Sequence, residues 1–547
     1  MKTKSVCLLI MSCLSLNAMM AQDFKSLVSE QDEKVMKGKF EPTWASLKNY
    51  EVPEWFKNAK FGIWAHWGPQ CQEGTGDWMA QHMYKEGSKH YKYHVEHYGH
   101  PSEVGFKDVI PHWKAEKWNP EKLVAYYKKL GAQYFFAMGN HHDNMDLWDS
   151  KYQPWNSVNM GPKRDVLAEW EAAARKHKLP FGISFHADHA WTWYESSQGC
   201  DKKGPKAGIP YDGNMTKTDG KGKWWEGYDP QDLYAQRHPL SKKGGNALRK
   251  WEWKDGASIP TARYCTNFYN RTLDAINRYN PDLIYFDTHV LPFYPISDAG
   301  LKIAAHYYNH NMATHKGKLE GVMFGKKLNL EQRDALVWDV ERGAPHDIVE
   351  SPWQTCSCIG NWHYNTEFYE KGRYKSPLYL ACLLMDIVSK NGNLLLSVPL
   401  KGDGTFDEKE KAILDEFGGW MAVNKEAVFN TRPWKIFGEG LRIEKDGKSE
   451  VEVADESVFR NMSKGEVRFT QTDRNLYAAL LTWPEDGQVL IKSLASGSGL
   501  FEGRIKKVEL LGYGKVPFMR TAEGLSITIP DKVKHNVIPV FKIKNRR

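Results

Sequence analysis

The feature that most constrains this chain is a series of short, wholly apolar runs that each stop at a polar residue and then give way to a helical pattern. Such runs occupy 61–65, 134–138, 181–185, 283–286, 321–324, 335–340 and 394–398. Helical periodicity fills stretches between them, including 120–130, 164–177 and 266–279. A strand that is apolar on both faces must be covered on both faces, which is the condition of a parallel sheet flanked by helices. Seven or eight such units over about 380 residues predict a (β/α)8-like barrel in preference to an open sheet.

The texture changes after about residue 425. A turn at Thr431-Arg432-Pro433 is followed by short runs at 451–453, 467–470, 476–482, 488–491, 508–511, 525–529 and 537–543, separated by Gly, Asp and Pro. This spacing predicts an antiparallel β-sandwich over 430–547 behind a barrel unit over 22–425. The segment 197–261 is rich in Gly, Lys and Asp and poor in aliphatics, so it reads as an inserted loop region of the kind that borders a cleft. Residues 1–21 read as an export signal: Lys2 and Lys4 precede an apolar core over 6–16, and Ala18-Met19-Met20-Ala21 offers a cleavage site. The expected destination is the periplasm or the cell exterior, with no membrane span after it.

Composition matters here for what it excludes. With 41% hydrophobic and 26% charged residues the chain is not a disordered one. The net charge of +8 comes without a long Lys/Arg run, which argues against a nucleic-acid partner and fits, weakly, an anionic carbohydrate. Cysteines 71, 200, 265, 356, 358 and 382 are sparse and irregular, neither a disulfide scaffold nor a structural zinc site. The 22 Trp and 26 Tyr supply flat apolar faces with polar tips, which suit sugar rings as well as they suit a large core.

In barrel enzymes the reactive groups stand at the carboxyl ends of the strands. Here those ends deliver His66, then His141-His142-Asp143, then His186, then Asp287, then Glu341-Arg342. One polar residue at a strand end is ordinary, but five strands converging on His, Asp or Glu point to a site. Asp287 and Glu341 come from different strands and can flank one bond, the arrangement used in glycoside hydrolysis. Imidazoles can hydrogen-bond sugar hydroxyls, and the nearby tryptophans Trp64, Trp67, Trp78 and Trp191 can stack on the ring. His plus carboxylate also suits zinc or iron. However, no His-Glu-x-x-His is present and the adjacent His141 and His142 would have to twist onto one ion, so neither metal nor cofactor is expected. Gly-x-Ser-x-Gly and a strand-borne Gly-x-Gly-x-x-Gly are both missing.

The segments Lys60-Phe-Gly-Ile-Trp-Ala-His-Trp-Gly68, His141-His-Asp-Asn-Met-Asp-Leu-Trp-Asp149, Asp282-Leu-Ile-Tyr-Phe-Asp287 and Ser389-Lys-Asn-Gly-Asn-Leu-Leu-Leu-Ser397 resemble glycoside hydrolase family 29, the α-L-fucosidases. So do Lys163-Arg-Asp-Val166, Ser351-Pro-Trp-Gln-Thr-Cys356, Thr431-Arg-Pro-Trp434 and the terminal stretch 476–484. The resemblance implies a retaining exo-hydrolase with a barrel and a β-sandwich. It assigns Asp287 as the nucleophile and His66, His141 and His142 as holders of the fucose hydroxyls, with Trp67 in the same motif. The acid/base glutamate varies in position among members. Glu341 is chosen because it ends a strand 11 residues before Pro352-Trp353, with Glu331 and Glu350 as the alternatives. Asp77-Trp78 falls where the family often has Glu-Trp, a sugar contact.

Three departures bear on specificity. Trp64-Ala65 replaces a common Phe-Ile, Ser184-Phe185-His186 replaces Tyr-Tyr-Ser, and Asp287-Thr288-His289 replaces Asp-Gly. L-Fucose is 6-deoxy-L-galactose. A more polar wall, helped by His186, His189 or His289, would suit the 6-hydroxyl or 6-sulfate of an α-L-galactose unit from an algal galactan. A further alternative is a carbohydrate-binding protein on a catalytically dead scaffold, which needs no carboxylate pair.

Overall fold

The computed structural model describes residues 24–235, 238–241, 253, 259–440, 453–460, 465–531, 533 and 537–545. The expected export signal at 1–21 lies outside these residues, as does part of the segment 197–261. Eight parallel strands close into a barrel: β1 (Phe61–Ala65), β2 (Tyr134–Met138), β3 (Phe181–Phe185), β4 (Leu283–Phe286), β5 (Val322–Gly325), β6 (Val337–Glu341), β8 (Trp353–Cys358) and β9 (Gly392–Ser397), with β9 pairing back onto β1. The short β7 (Gly343–Pro345) stands outside the barrel.

Every residue of β1 to β5 is buried, whereas β6 is buried up to its last residue and ends on an exposed Glu341. Burial on both faces is what the apolar runs predicted, because the barrel interior takes one face and the helical ring the other. Gly62 shows how tightly the interior is filled: a Cβ there would come within 2.2 Å of the Tyr134 ring. The helices begin where their caps dictate. Asn119 caps Pro120–Lys129, Asp165 caps Val166–Lys176 and Thr261 caps Ala262–Tyr279, each through a side-chain oxygen that accepts from a first-turn amide.

One barrel strand carries no apolar run. β8 reads Trp-Gln-Thr-Cys-Ser-Cys, yet all six residues are buried. Its polar groups bond within the barrel: Gln354 accepts from the Tyr134 hydroxyl (2.9 Å) and donates to Asp339 (2.8 Å), and Thr355 donates to the Val340 carbonyl (2.6 Å). Burial with every partner in place is as stable as an apolar face.

The C-terminal region holds a six-stranded antiparallel sheet in the order β10 (Arg432–Glu439), β12 (Val467–Gln471), β13 (Asn475–Leu480), β19 (Val540–Asn545), β15 (Ile505–Leu510), β16 (Gly514–Lys515). A second sheet is ordered β14 (Gln488–Ile491), β18 (Leu525–Thr528), β17 (Phe518–Arg520). Phe469, Ala478, Val508, Ile527 and Phe541 are among the residues of the separate apolar core here. The expected turn at Thr431-Arg432-Pro433 opens β10, an edge strand where a proline costs no ladder bond. The run at 451–453 was expected in the sandwich, but the strand observed, β11 (Val453–Asp455), pairs instead with β7, just past Glu341. The C-terminal region therefore reaches the mouth of the barrel.

A buried ion network fixes the two units together. On the helix Pro377–Ser389, Asp386 accepts from Arg468 of β12 (2.5 Å) and from Lys390 (2.8 Å), while Arg468 also faces Glu466 (3.3 Å). Among the described residues no disulfide joins the cysteines, and no helix is long and apolar enough to cross a membrane.

Candidate active site

A cavity of about 300 Å³ opens at the carboxyl ends of the barrel strands. Trp64, His66, His141 and His186 line it from β1 to β3, Tyr285 and Asp287 from β4, Lys326 from β5, and Glu341, Cys356 and Trp362 from the far side. The volume is at the small end for ligand sites and suits a single sugar ring better than a chain of them.

The two carboxylates predicted to act together do converge. The Lys326 ammonium lies 2.5 Å from Asp287 Oδ1 and 2.8 Å from Glu341 Oε2. Because both contacts of 2.5 and 2.8 Å meet at one nitrogen, the two oxygens are at most 5.3 Å apart. The other oxygen of Asp287, Oδ2, faces His142 Nε2 at 3.2 Å and His186 Nδ1 at 3.4 Å. Burial alone would favour the neutral acid, but the charge of Lys326 and the bonds from His142 and His186 outweigh it and hold the Asp287 carboxyl well below the usual range. Asp287 is thus an ionised carboxylate in a water-poor pocket. Glu341 is the more accessible of the pair, its side chain 44% exposed against 20% for Asp287. The alternatives for the second carboxylate stand elsewhere: Glu331 is exposed and pairs with Lys48, and Glu350 is exposed on the surface.

The histidines form a packed floor. Ring centroids of His66 lie 5.2 Å from His141, 5.3 Å from His186 and 4.8 Å from His363. Burial drives the charged forms of His66 and His141 far out of favour and lowers His186 to about 4, so these three are neutral at pH 7. Gln70 fixes His141 through Nδ1 (2.7 Å), which leaves Nε2 for a ligand. His142 Nδ1 faces the His186 carbonyl at 2.8 Å, and Asn140 pins the start of the loop by accepting from the His186 and Ala187 amides. Both ring nitrogens of His66, Nε2 of His186 and Nε1 of Trp64 are buried without a hydrogen-bond partner. Orphaned polar atoms of this kind are rare because each costs about 1–3 kcal/mol, so a cluster of them marks where a ligand brings the missing partners.

The rim is strained to the same end. Gly76 (φ +92°) and Trp78 (φ +62°) bracket Asp77, and a Cβ at Gly76 would meet the Asn365 amide at 2.4 Å. A tryptophan in the left-handed region costs about 1 kcal/mol or more, and here it presents Asp77 and Trp78 to the cavity. Asp77 is steadied by His363 at 2.8 Å.

Four predicted contacts, Trp67, Trp191, His142 and His289, do not line this cavity, His142 standing behind it on Asp287 and the His186 carbonyl. Trp67 is buried among Trp113, Trp118 and Trp170 with its indole N–H donating to the Lys401 carbonyl, so the residue after His66 points into the helical layer. Trp191 is likewise buried, stacked on His238 at 4.3 Å and packed on Tyr264. His289 lines a neighbouring cavity, together with Asp287 and Glu341. Conversely, Lys326, Tyr285, Cys356 and Trp362 line the pocket without having been anticipated. Lys326 follows the run 321–324 and obeys the same strand-end rule, but that rule was applied only to His, Asp and Glu. Trp362 and His363 follow β8, the strand without an apolar run.

Donor atoms of His66, His141 and His186 lie within 4.8 Å of one another, as do those of His142, His186 and Asp287. The second group already faces the Lys326 cation. The first is a set of neutral imidazoles equally placed to bond hydroxyls.

Comparison with known proteins settles the family. The family model described as Alpha-L-fucosidase matches residues 27–426, and the one described as Alpha-L-fucosidase C-terminal domain matches 460–544. The chain belongs to the α-L-fucosidase family. It is a glycoside hydrolase by that membership. The tissue α-L-fucosidase of Rattus norvegicus is 25% identical over 506 residues, covering 90% of this chain and 88% of the relative. The plasma α-L-fucosidase of Homo sapiens is 23% identical over 516 residues, covering 91% and 90%. Among solved structures, the Thermotoga maritima α-fucosidase in complex with fucose superposes with a TM-score of 0.65 at 24% identity, covering 92% of this chain and all of that one. The α-fucosidase fold therefore extends over both the barrel and the terminal sheets.

Proposed function

We propose that the protein is a retaining exo-glycosidase that releases terminal α-L-fucose by double displacement. The observation that carries this reading is the bound of 5.3 Å between Asp287 and Glu341 oxygens. Retaining enzymes hold their carboxyl groups about 5–5.5 Å apart, whereas inverting ones leave about 6.5–9.5 Å for a water. Asp287, kept ionised, attacks the anomeric carbon and forms a glycosyl-enzyme. Glu341 gives a proton to the leaving oxygen, then takes one from the water that hydrolyses the intermediate. Lys326 balances the charge of the pair. His66, His141 and His186 meet the ring hydroxyls, and those bonds strengthen as charge develops on the sugar. The convergence of both carboxylates weighs against a purely sugar-binding protein, which has no use for the pair. Hydrolysis of 4-nitrophenyl α-L-fucoside followed by NMR tests this: the account expects the α-anomer to form first, and a first-formed β-anomer would refute retention.

One observation favours a second reading, α-L-galactose as the released sugar. A terminal fucose offers three ring hydroxyls, whereas the wall offers His66, His141, His186, Asp77 and the orphaned Trp64 indole N–H. The surplus suits a fourth hydroxyl at carbon 6. A 6-sulfate is less suited, because the cation lining this cavity, Lys326, is already shared by two carboxylates. Comparing aryl α-L-fucoside with aryl α-L-galactoside separates the two readings, and a large preference for the fucoside removes the second.

A further inference from the structure

Beside the sugar cavity lies a second one of about 300 Å³. It shares Asp287, Lys326 and Glu341 with the first and none of its histidines. Its remaining walls are Thr288 and His289 after β4, Lys327 after β5, Trp338, Asp339 and Val340 on β6, and Val453 from β11 of the C-terminal region. If a sugar fills the first cavity with its anomeric carbon at Asp287, the oxygen protonated by Glu341 points across that glutamate. The rest of the substrate then lies in the second cavity. This step rests on the hydrolytic reading above.

Of the two lysines in this second cavity, Lys326 and Lys327, one is left without a carboxylate partner among the described residues. Asp287 and Glu341 share Lys326, and Asp339 is buried and bonded inward to Gln354 (2.8 Å) and Cys356 (3.2 Å). Lys327 is exposed, and among the described residues it forms no ion pair. Arg333 also has no carboxylate partner among the described residues; its guanidinium sits 3.7 Å from the Trp338 ring centroid. Lys327 adopts φ +46°, a left-handed turn that a non-glycine residue rarely takes, directly after the residue that bridges the carboxylates. Lys327 and Trp338 line the same cavity, and an unpaired ammonium together with a flat apolar ring suits an anionic substituent on a sugar.

We propose that this cavity is the leaving-group subsite and that Lys327 makes it selective for a sugar carrying a sulfate ester or carboxylate. Selectivity thus sits on the sugar left behind, not on the one released.

The test uses the full-length enzyme and two kinds of substrate. Turnover of the 4-nitrophenyl glycoside establishes the glycone and the hydrolytic reading independently of the subsite, and failure there refutes that reading alone. With the accepted glycone linked to galactose, neutral or as each monosulfated isomer, the best sulfated isomer should exceed the neutral disaccharide by about tenfold in kcat/KM, the gain expected of one charge-assisted contact. Added salt should erode that gain while leaving the neutral disaccharide unaffected. Lys327→Met should abolish the preference and Lys327→Glu should reverse it, each read as the ratio of kcat/KM for the sulfated and the neutral disaccharide on the same variant. If no sulfated isomer outperforms the neutral one, or if the preference survives both substitutions, the proposal is overturned.

Discussion

The mouth of the barrel and the core of the C-terminal sheets are built from similar strands and obey opposite rules. In the terminal core, Phe469, Val508, Ile527 and Phe541 interlock, and among the described residues no buried side-chain polar atom after Glu410 lacks a hydrogen-bond partner. At the mouth, His66, His186, Trp64, Asp143, Ser184 and His363 all bury such atoms. The sheets are satisfied without a ligand, whereas the barrel mouth is not, and the stability it forgoes is held as binding capacity for a hydroxylated ring.

Substitutions can break or sharpen this contrast. The largest effect is expected from Asp287→Ala, which should lower turnover by more than about a thousandfold while leaving the chain folded; steady-state kinetics and circular dichroism check both. Next, Glu341→Ala should cost about 10²–10⁴-fold on glycosides with poor leaving groups but far less on activated aryl glycosides. Equal loss on both kinds would remove Glu341 from its role. In the terminal core the same logic runs backwards: Phe541→Ala should cost about 3–5 kcal/mol of stability with unchanged activity per folded molecule.

Lys326→Met should act on the pH profile. Burial pushes the Asp287 carboxyl up and Lys326 pulls it down, so losing the ammonium raises its pKa. Asp287 then takes up a proton at higher pH, and the acid limb of kcat/KM should move upward; an unmoved limb would show that Lys326 does not set the charge of Asp287. The smallest effect is expected from His66→Phe. A buried neutral histidine destabilises the folded state as pH falls below the ordinary imidazole value of about 6.5, since only the unfolded chain readily takes the proton. The variant should therefore lose less stability than the wild type between pH 7 and pH 5 in thermal melts, though it binds sugar more weakly.

Much of this architecture is legible in the sequence because burial on both faces writes itself as an apolar run. β1 to β4 lie where those runs lie, and Asp287 and Glu341 follow from where two of them stop. β8 is not legible, because Gln354 and Thr355 find partners inside the barrel that only the closed fold provides. Lys326 is readable from its position but not from its chemistry, since a lysine becomes a bridge only when two carboxylates from neighbouring strands approach it. The same limit applied in reverse to Trp67 and Trp191. An aromatic beside a functional residue points either way along the chain, and packing against Trp113, Trp118 and Tyr264 decided it.

The convergence of Asp287 and Glu341 on one acetal is tested most directly by trapping the intermediate. A 2-deoxy-2-fluoro glycosyl donor with an activated leaving group slows the second step, and peptide mapping by mass spectrometry then locates the sugar. The account predicts a single ester on Asp287, formed at an undiminished rate in Glu341→Ala when the leaving group is activated. Attachment to any other residue, or turnover of the donor by the wild type with inversion and no ester, would contradict it.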